Sequence, residues 1–262
     1  MVKVLLSWMA IFLMLASNPS LAVTDSQENA LEKPSKKSIV FFKRQVKSNN
    51  SVENAVKSLI ARYPEKASNF VKVALFTYPE KYEEIIRASV IAKPVIVDEI
   101  IKLANHYKVS APTNIVAIAV NAEPSYAEVA TKAACKYSPE DFTEIVRTAV
   151  KSEPDSADQI AQKLVTAYPN RALEILVTTI KEVPYVGKYV LDALLALVQE
   201  DKDTTEDMIV ASIEQLADYP SAMERLVKLA KEHKIDANKV STSAIKGGLD
   251  EESVASLIKT HY

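Results

Sequence analysis

Residues 63–82 read YPEKASNFVKVALFTYPEKY, with Pro64 and Pro79 fifteen residues apart. Between the prolines, Ala67, Phe70, Val71, Ala74 and Leu75 recur at spacings of three and four, which marks one face of an α-helix. Proline suits the first helical turn, where its missing N–H would have no acceptor within the helix. It also pushes the residue before it out of the α region. Each proline therefore stops one helix and starts the next. The stretch predicts a helix of about 11 residues, roughly 16 Å long at 1.5 Å per residue, followed by a tight corner.

The same register extends in both directions. Prolines stand at 34, 64, 79, 94, 124, 139, 154, 169 and 184, every gap being 15 or 30. Asn49 and Val109 occupy the two positions where a proline is missing, and the apolar pattern runs on through them. From Pro34 to Val198 this makes eleven units without insertion. With proline as position one, apolar residues fall at positions four, seven, eight and eleven, and usually twelve. The unit from Pro94 shows Val97, Ile100, Ile101 and Ala104; that from Pro139 shows Phe142, Ile145, Val146, Ala149 and Val150. Position eleven is often alanine, which lets adjacent helices approach closely. Glu65, Glu80, Glu140, Asp141 and Asp155 follow prolines, where the positive end of the helix dipole favours them.

A helix of this length is marginal alone, and stacking buries its apolar stripe. The expected fold class is therefore all-α: an α-solenoid-like array of short helices with a 15-residue, proline-punctuated repeat. Two units make 30 residues, near the period of ankyrin and tetratricopeptide repeats, but the signature residues of those families are missing. Composition agrees with helices. The 262 residues include only 3 glycines, against about 7% in average usage, which argues against phosphate-cradling loops and primed hairpin turns. The formal net charge of −2 gives no reason to expect nucleic acid as a partner. Cys135 is the single cysteine, so no intrachain disulfide is expected.

The amino terminus carries a targeting pattern. Lys3 precedes an apolar stretch from Val4 to Ala16, and Ser20-Leu21-Ala22 offers a small-x-small cleavage site. Residues 1–22 are expected to be a secretory signal peptide, too short in its apolar run to span a membrane. Residues 23–33 should form a flexible segment and 34–198 the eleven units. An irregular polar insertion is expected at 199–205, and C-terminal helical units with a cap at 206–262, Gly247-Gly248 serving as a helix stop. The expected location is the periplasm or the exterior of the cell, with no stable membrane span after cleavage.

Candidate sites are few. Position nine carries Lys57, Lys72, Arg87, Lys102, Lys132, Arg147 and Lys228. Aligned in a stack, these cations would make a stripe for an anionic partner. Acids often lie one turn earlier, however, in the order that forms ion pairs on a solvated helix face. Tyr63, Tyr78 and Tyr168 directly precede prolines; they either line a binding groove or plug the corners between helices. Lys57, Lys72, Arg87, Lys102, Lys132, Arg147, Tyr63, Tyr78 and Tyr168 are thus the candidate partner-binding residues. Lys33, Lys36, Lys37, Lys43, Arg44 and Lys47 surround Ile39, Val40, Phe41 and Phe42, a pattern read either as a membrane-touching helix or as a degenerate first repeat. Cys135 sits at a core position and is read as a small hydrophobe. His106, His233 and His261 show no ligand spacing, and the acids from Glu200 to Asp207 lack the glycine and terminal glutamate of an EF-hand. No catalytic residue, metal or cofactor is expected.

The function expected on these grounds is an exported, non-enzymatic scaffold or protein- or peptide-binding module. The second class is a self-associating structural protein of the envelope. The third is an enzyme with a site in the concave face, for which no acid, base and nucleophile can be named.

Overall fold

The computed structural model describes residues 31–187, 190–192 and 202–262, and every element among them is helical. The expected signal peptide lies outside the described residues, as do 23–30 and 199–201. Pro34–Tyr262 forms one compact unit. Among the described residues its α-helices of defined bounds are α1 (Lys36–Asn49), α2 (Val52–Arg62), α3 (Ala67–Thr77), α4 (Tyr82–Ala92), α5 (Val97–His106), α6 (Pro112–Ala122), α7 (Ala127–Tyr137), α8 (Phe142–Ser152), α9 (Ala157–Ala167), α10 (Ala172–Glu182), α11 (Lys202–Gln215), α12 (Pro220–Glu232), α13 (Ala237–Lys246) and α14 (Glu251–His261). Helix α11 starts inside the stretch expected to be irregular, so residues 202–205 are helical.

The prolines make corners, with one difference from expectation. Pro64, Pro79, Pro94, Pro124, Pro139, Pro154, Pro169 and Pro184 each open a three-residue 3-10 turn rather than the α-helix itself. The residue before proline does two jobs. Its N–H closes the preceding helix onto the carbonyl four residues back, as Tyr63 does to Leu59 at 2.9 Å and Tyr168 to Leu164 at 2.7 Å. Its own carbonyl accepts from the N–H two residues beyond proline, as Tyr63 does from Lys66 at 3.0 Å and Tyr168 from Arg171 at 2.9 Å. Tyr63 holds φ −137° and ψ 66°, outside the α region as a residue before proline must be. The chain thus reverses with its backbone groups satisfied and without glycine.

Where proline is missing, the corner is built differently. Asn50, Lys108 and Lys234 take positive φ of 62°, 50° and 58°. Beyond Lys108, the Val109 N–H donates to Ala104 O at 3.2 Å while Lys108 N–H donates to Asn105 O at 3.0 Å, the hydrogen-bond pair of a Schellman stop. Ile235 repeats it onto Ala230 at 2.9 Å, and Leu249 onto Ala244 at 3.0 Å past Gly248, whose φ is 110°.

Packing sorts the helices into two layers: from α1 to α10 each helix lies beside those one and two along the chain, and α11 continues beside α10. Helices α2, α4, α6, α8, α10, α11 and α13 follow one another in the first layer; α1, α3, α5, α7 and α9, and then α12 and α14, belong to the second. The core between them is the face read from the repeat: Val71, Ala74, Leu75, Ile100, Ile101, Ala104, Ile145, Val146 and Ala149 are all at most 1% exposed. Position ten adds to it, with Val73, Ala88, Leu103 and Ala133 also buried. The buried hydroxyls of Ser89 and Thr131 are satisfied within their own helices, donating to Ile85 O and Ala127 O, each at 2.7 Å.

The unit from Pro34 departs from the rest. Helix α1 is capped by Ser35, runs 14 residues, and buries Phe42. Val40 and Phe41, which the register assigns to core positions seven and eight, are 50% and 43% exposed.

Candidate partner-binding surface

The corners fall on two edges. Those leading from the first layer to the second centre on Tyr63, Lys93, Glu123, Glu153 and Val183. Those leading back centre on Tyr78, Lys108, Ser138 and Tyr168. Successive corners of one edge touch. On the first edge, Lys93 Nζ donates to the carbonyl of Pro64 at 2.5 Å. On the second, Asn105 Nδ2 donates to the carbonyl of Tyr137 at 3.0 Å and to Ser138 Oγ.

This alternation divides the position-nine cations. Lys57, Arg87 and Arg147 belong to the first layer; Lys72, Lys102, Lys132 and Lys228 belong to the second. One continuous stripe is therefore not formed. Lys57 pairs with Glu53 at 2.7 Å, Arg87 with Glu83 at 3.4 Å and Lys228 with Glu224 at 2.5 Å, all one turn back on the same helix. Hydrogen bonding to Lys57 lowers the pKa of Glu53, and Lys228 does the same to Glu224. Arg147 bonds Glu144 and reaches Glu182 of α10 at 2.8 Å, where Lys151 also sits at 2.9 Å. Glu128, the acid one turn before Lys132, instead lies 3.4 Å from Lys163 of α9. Such exposed pairs add little to stability, and they occupy the charges of Lys57, Arg87, Arg147 and Lys228.

The tyrosines divide too. Tyr78 and Tyr168 are half-buried plugs on the second edge. Tyr78 packs on Phe42 with ring centres 6.2 Å apart, and Tyr168 stands edge-on to Phe142 at 5.2 Å. The Arg171 guanidinium covers the other ring of that pair, 3.7 Å from the Phe142 centroid. Burial pushes the Tyr168 phenol up. Tyr63 is on the first edge and remains 40% exposed. Cys135 is 1% exposed in α7, and burial pushes its thiol up to about 12. A thiol held so firmly protonated lacks the thiolate that nucleophilic attack requires.

The first edge carries a feature that the repeat alone did not reveal. From Ser51 to Gly187, the large apolar side chains most open to solvent are Tyr63, Ile91, Val95 and Tyr185. All four lie at or beside corners of that edge, with half-buried Tyr126 at a corner between them. The corners of the second edge present Glu80, Lys81, Glu140, Asp141, Asn170 and Arg171 at the equivalent places. The signal in the sequence is the residue after proline: Val95 and Tyr185 stand where Glu65, Glu80 and Glu140 stand elsewhere.

Among the described residues no helix is long and apolar enough to cross a membrane, and no group of three His, Cys, Asp or Glu side chains converges on a metal position. No protein-family model matches the chain, and searches of curated proteins and of solved structures returned no significant match.

Proposed function

We propose that this chain is an exported, non-enzymatic helical-repeat protein that serves as a scaffold or as a protein- or peptide-binding module in the periplasm or outside the cell. The observation carrying this reading is the unequal pair of edges: the first exposes Tyr63, Ile91, Val95 and Tyr185 among its charged corners, while from Ser51 to Gly187 the second exposes no large apolar side chain to that degree. Solenoid arrays bind through extended surfaces of this kind. Tyrosine is favoured at interfaces because it offers a large rigid contact and a polar tip. Exported status rests on the targeting pattern of residues 1–22.

The test is affinity capture from envelope extract with the intact protein, alongside a Val95→Glu/Tyr185→Ser variant. A polypeptide retained by the native chain and lost by the variant supports the proposal. Equal retention by both excludes the first edge as the binding surface, and a chain that fails to leave the cytoplasm excludes the location.

A further inference from the structure

The amino-terminal end of the array presents a face that the repeat does not use. In the unit from Pro34, positions four, seven, eight and eleven are Lys37, Val40, Phe41 and Arg44. In other units these positions supply the core; here all four side chains are exposed on α1. They line one shallow depression with Lys36. Between residues 32 and 47 the chain holds Lys33, Lys36, Lys37, Lys43, Arg44 and Lys47 against one acid, Glu32. None of these six cations has an acidic partner within 4.0 Å among the described residues. The position-nine cations Lys57, Arg87, Arg147 and Lys228, by contrast, are ion-paired.

We infer that α1 docks on an anionic phospholipid surface, with Phe41 and Val40 entering the headgroup layer and Lys36, Lys37 and Arg44 meeting the phosphates around them. The combination of exposed apolar side chains and unpaired cations on one stripe of a helix is the chemistry of helices that lie in a membrane interface. Charge disfavours a second α1 as the occupant, and the mismatch of apolar with hydroxyl side chains disfavours the far end of a second copy. Pairing α1 with another α1 sets six cations against six. Pairing it with the far end lets the cations meet Asp250, Glu251 and Glu252 but sets Val40 and Phe41 against Ser253, Ser256 and Thr260, the exposed hydroxyls of α14. Among the described residues, α14 thus presents a polar and acidic face and α1 an apolar and cationic one. This inference goes beyond the partner-binding reading and stands without it.

The test uses the full-length protein floated with vesicles of phosphatidylcholine alone or of phosphatidylcholine mixed with phosphatidylglycerol. Any contribution of Lys3 and the apolar stretch 4–16 is common to the native chain and its α1 variants, so comparison of the variants isolates α1. The expected result is partitioning roughly tenfold stronger on the anionic vesicles at low salt, falling as salt screens the attraction. Lys37→Glu/Arg44→Glu should abolish that difference, and Val40→Ser/Phe41→Ser should weaken binding to both vesicle types; all four side chains are exposed, so the melting temperature should hold. Equal partitioning of the native chain into both vesicles overturns the inference. So does anionic preference that survives the charge reversal, or a mass that rises with protein concentration and returns to monomer in the Val40→Ser/Phe41→Ser variant.

Discussion

The Tyr137 hydroxyl donates to Asp98 Oδ2 at 2.7 Å, bridging α7 and α5 across 39 residues of chain. Asn105 of α5 holds the same corner by its bond to the Tyr137 carbonyl, and Lys136 stands 4.0 Å from Asp98. Together these groups fasten neighbouring helices of the second layer at their corner. Tyr137→Phe removes the hydroxyl and keeps the ring. We expect a loss of about 1 kcal/mol in urea denaturation, with the slope of the transition unchanged. A variant as stable as the native chain would show that solvent satisfies both partners equally well.

Stability should decline at alkaline pH. The Cys135 thiol is pushed up to about 12 by burial. Tyr137, Tyr107, Tyr168 and Tyr262 are moved upward too, with burial the largest cause in each. The unfolded chain releases the thiol proton near pH 8.5 and the phenol protons near about 10. Above those values the folded chain binds more protons than the unfolded one, so the unfolding free energy falls with pH. The contribution is complete below about pH 8.5 and disappears as pH climbs through the folded values. Thermal melts across this range should show the decline, and Cys135→Ala should flatten its first part. A pH-independent melting temperature would refute the assignment.

Restoring the missing proline should do harm. Val109 occupies the proline position of its unit, yet its N–H donates to Ala104 O at 3.2 Å and Lys108 before it has φ 50°. Val109→Pro deletes that donor and restricts Lys108 away from its observed conformation. We expect destabilisation of about 1 to 3 kcal/mol. Lys108→Gly should do the opposite, because glycine holds positive φ without steric cost. A stabilising Val109→Pro in chemical denaturation would mean that this corner can convert to the 3-10 type.

The two glycines with ordinary φ should respond differently to alanine. At Gly247, an added Cβ would fall on the carbonyl oxygen of Glu214 and 2.7 Å from Ala217 Cβ, forcing α13 from α11. Gly187→Ala meets nothing closer than Ile180 Cγ2 at 3.6 Å, within a helical segment. We expect Gly247→Ala to cost about 1 to 3 kcal/mol and Gly187→Ala to gain about 0.5 to 1 kcal/mol, both read from denaturant midpoints.

Much of this architecture is legible in the sequence because proline has a local and unavoidable effect. Its ring fixes φ and removes a donor wherever it stands, so the corners at Pro64, Pro79 and the rest appear in the chain as written. Apolar spacing then names Val71, Ile100 and Ile145 as core, since burial follows the helical period. What is not legible depends on neighbours two units away. The pairing of Glu128 with Lys163, rather than with Lys132 on its own helix, needs knowledge of which helices adjoin. So does the division of Lys57 and Lys72 between opposite layers. The 3-10 turn at each proline arises from a single shared residue accepting and donating at once, which composition does not encode. Helix α1 misled the register for a related reason. Its positions seven and eight keep the apolar pair of the repeat while positions four and eleven are Lys37 and Arg44, and Phe42 rather than Phe41 turned inward.

Because the strongest helix contacts among the described residues join near neighbours in the chain, none of those helices acts as a keystone. Damage at one corner is felt by its immediate neighbours, and distant units keep their own enthalpy. Heat should open such a chain from an end, in steps, as a zip does, and force applied to its termini should unpick hairpins in sequence rather than break one barrier. Its mechanical character would be that of a yielding tether, with length held in reserve.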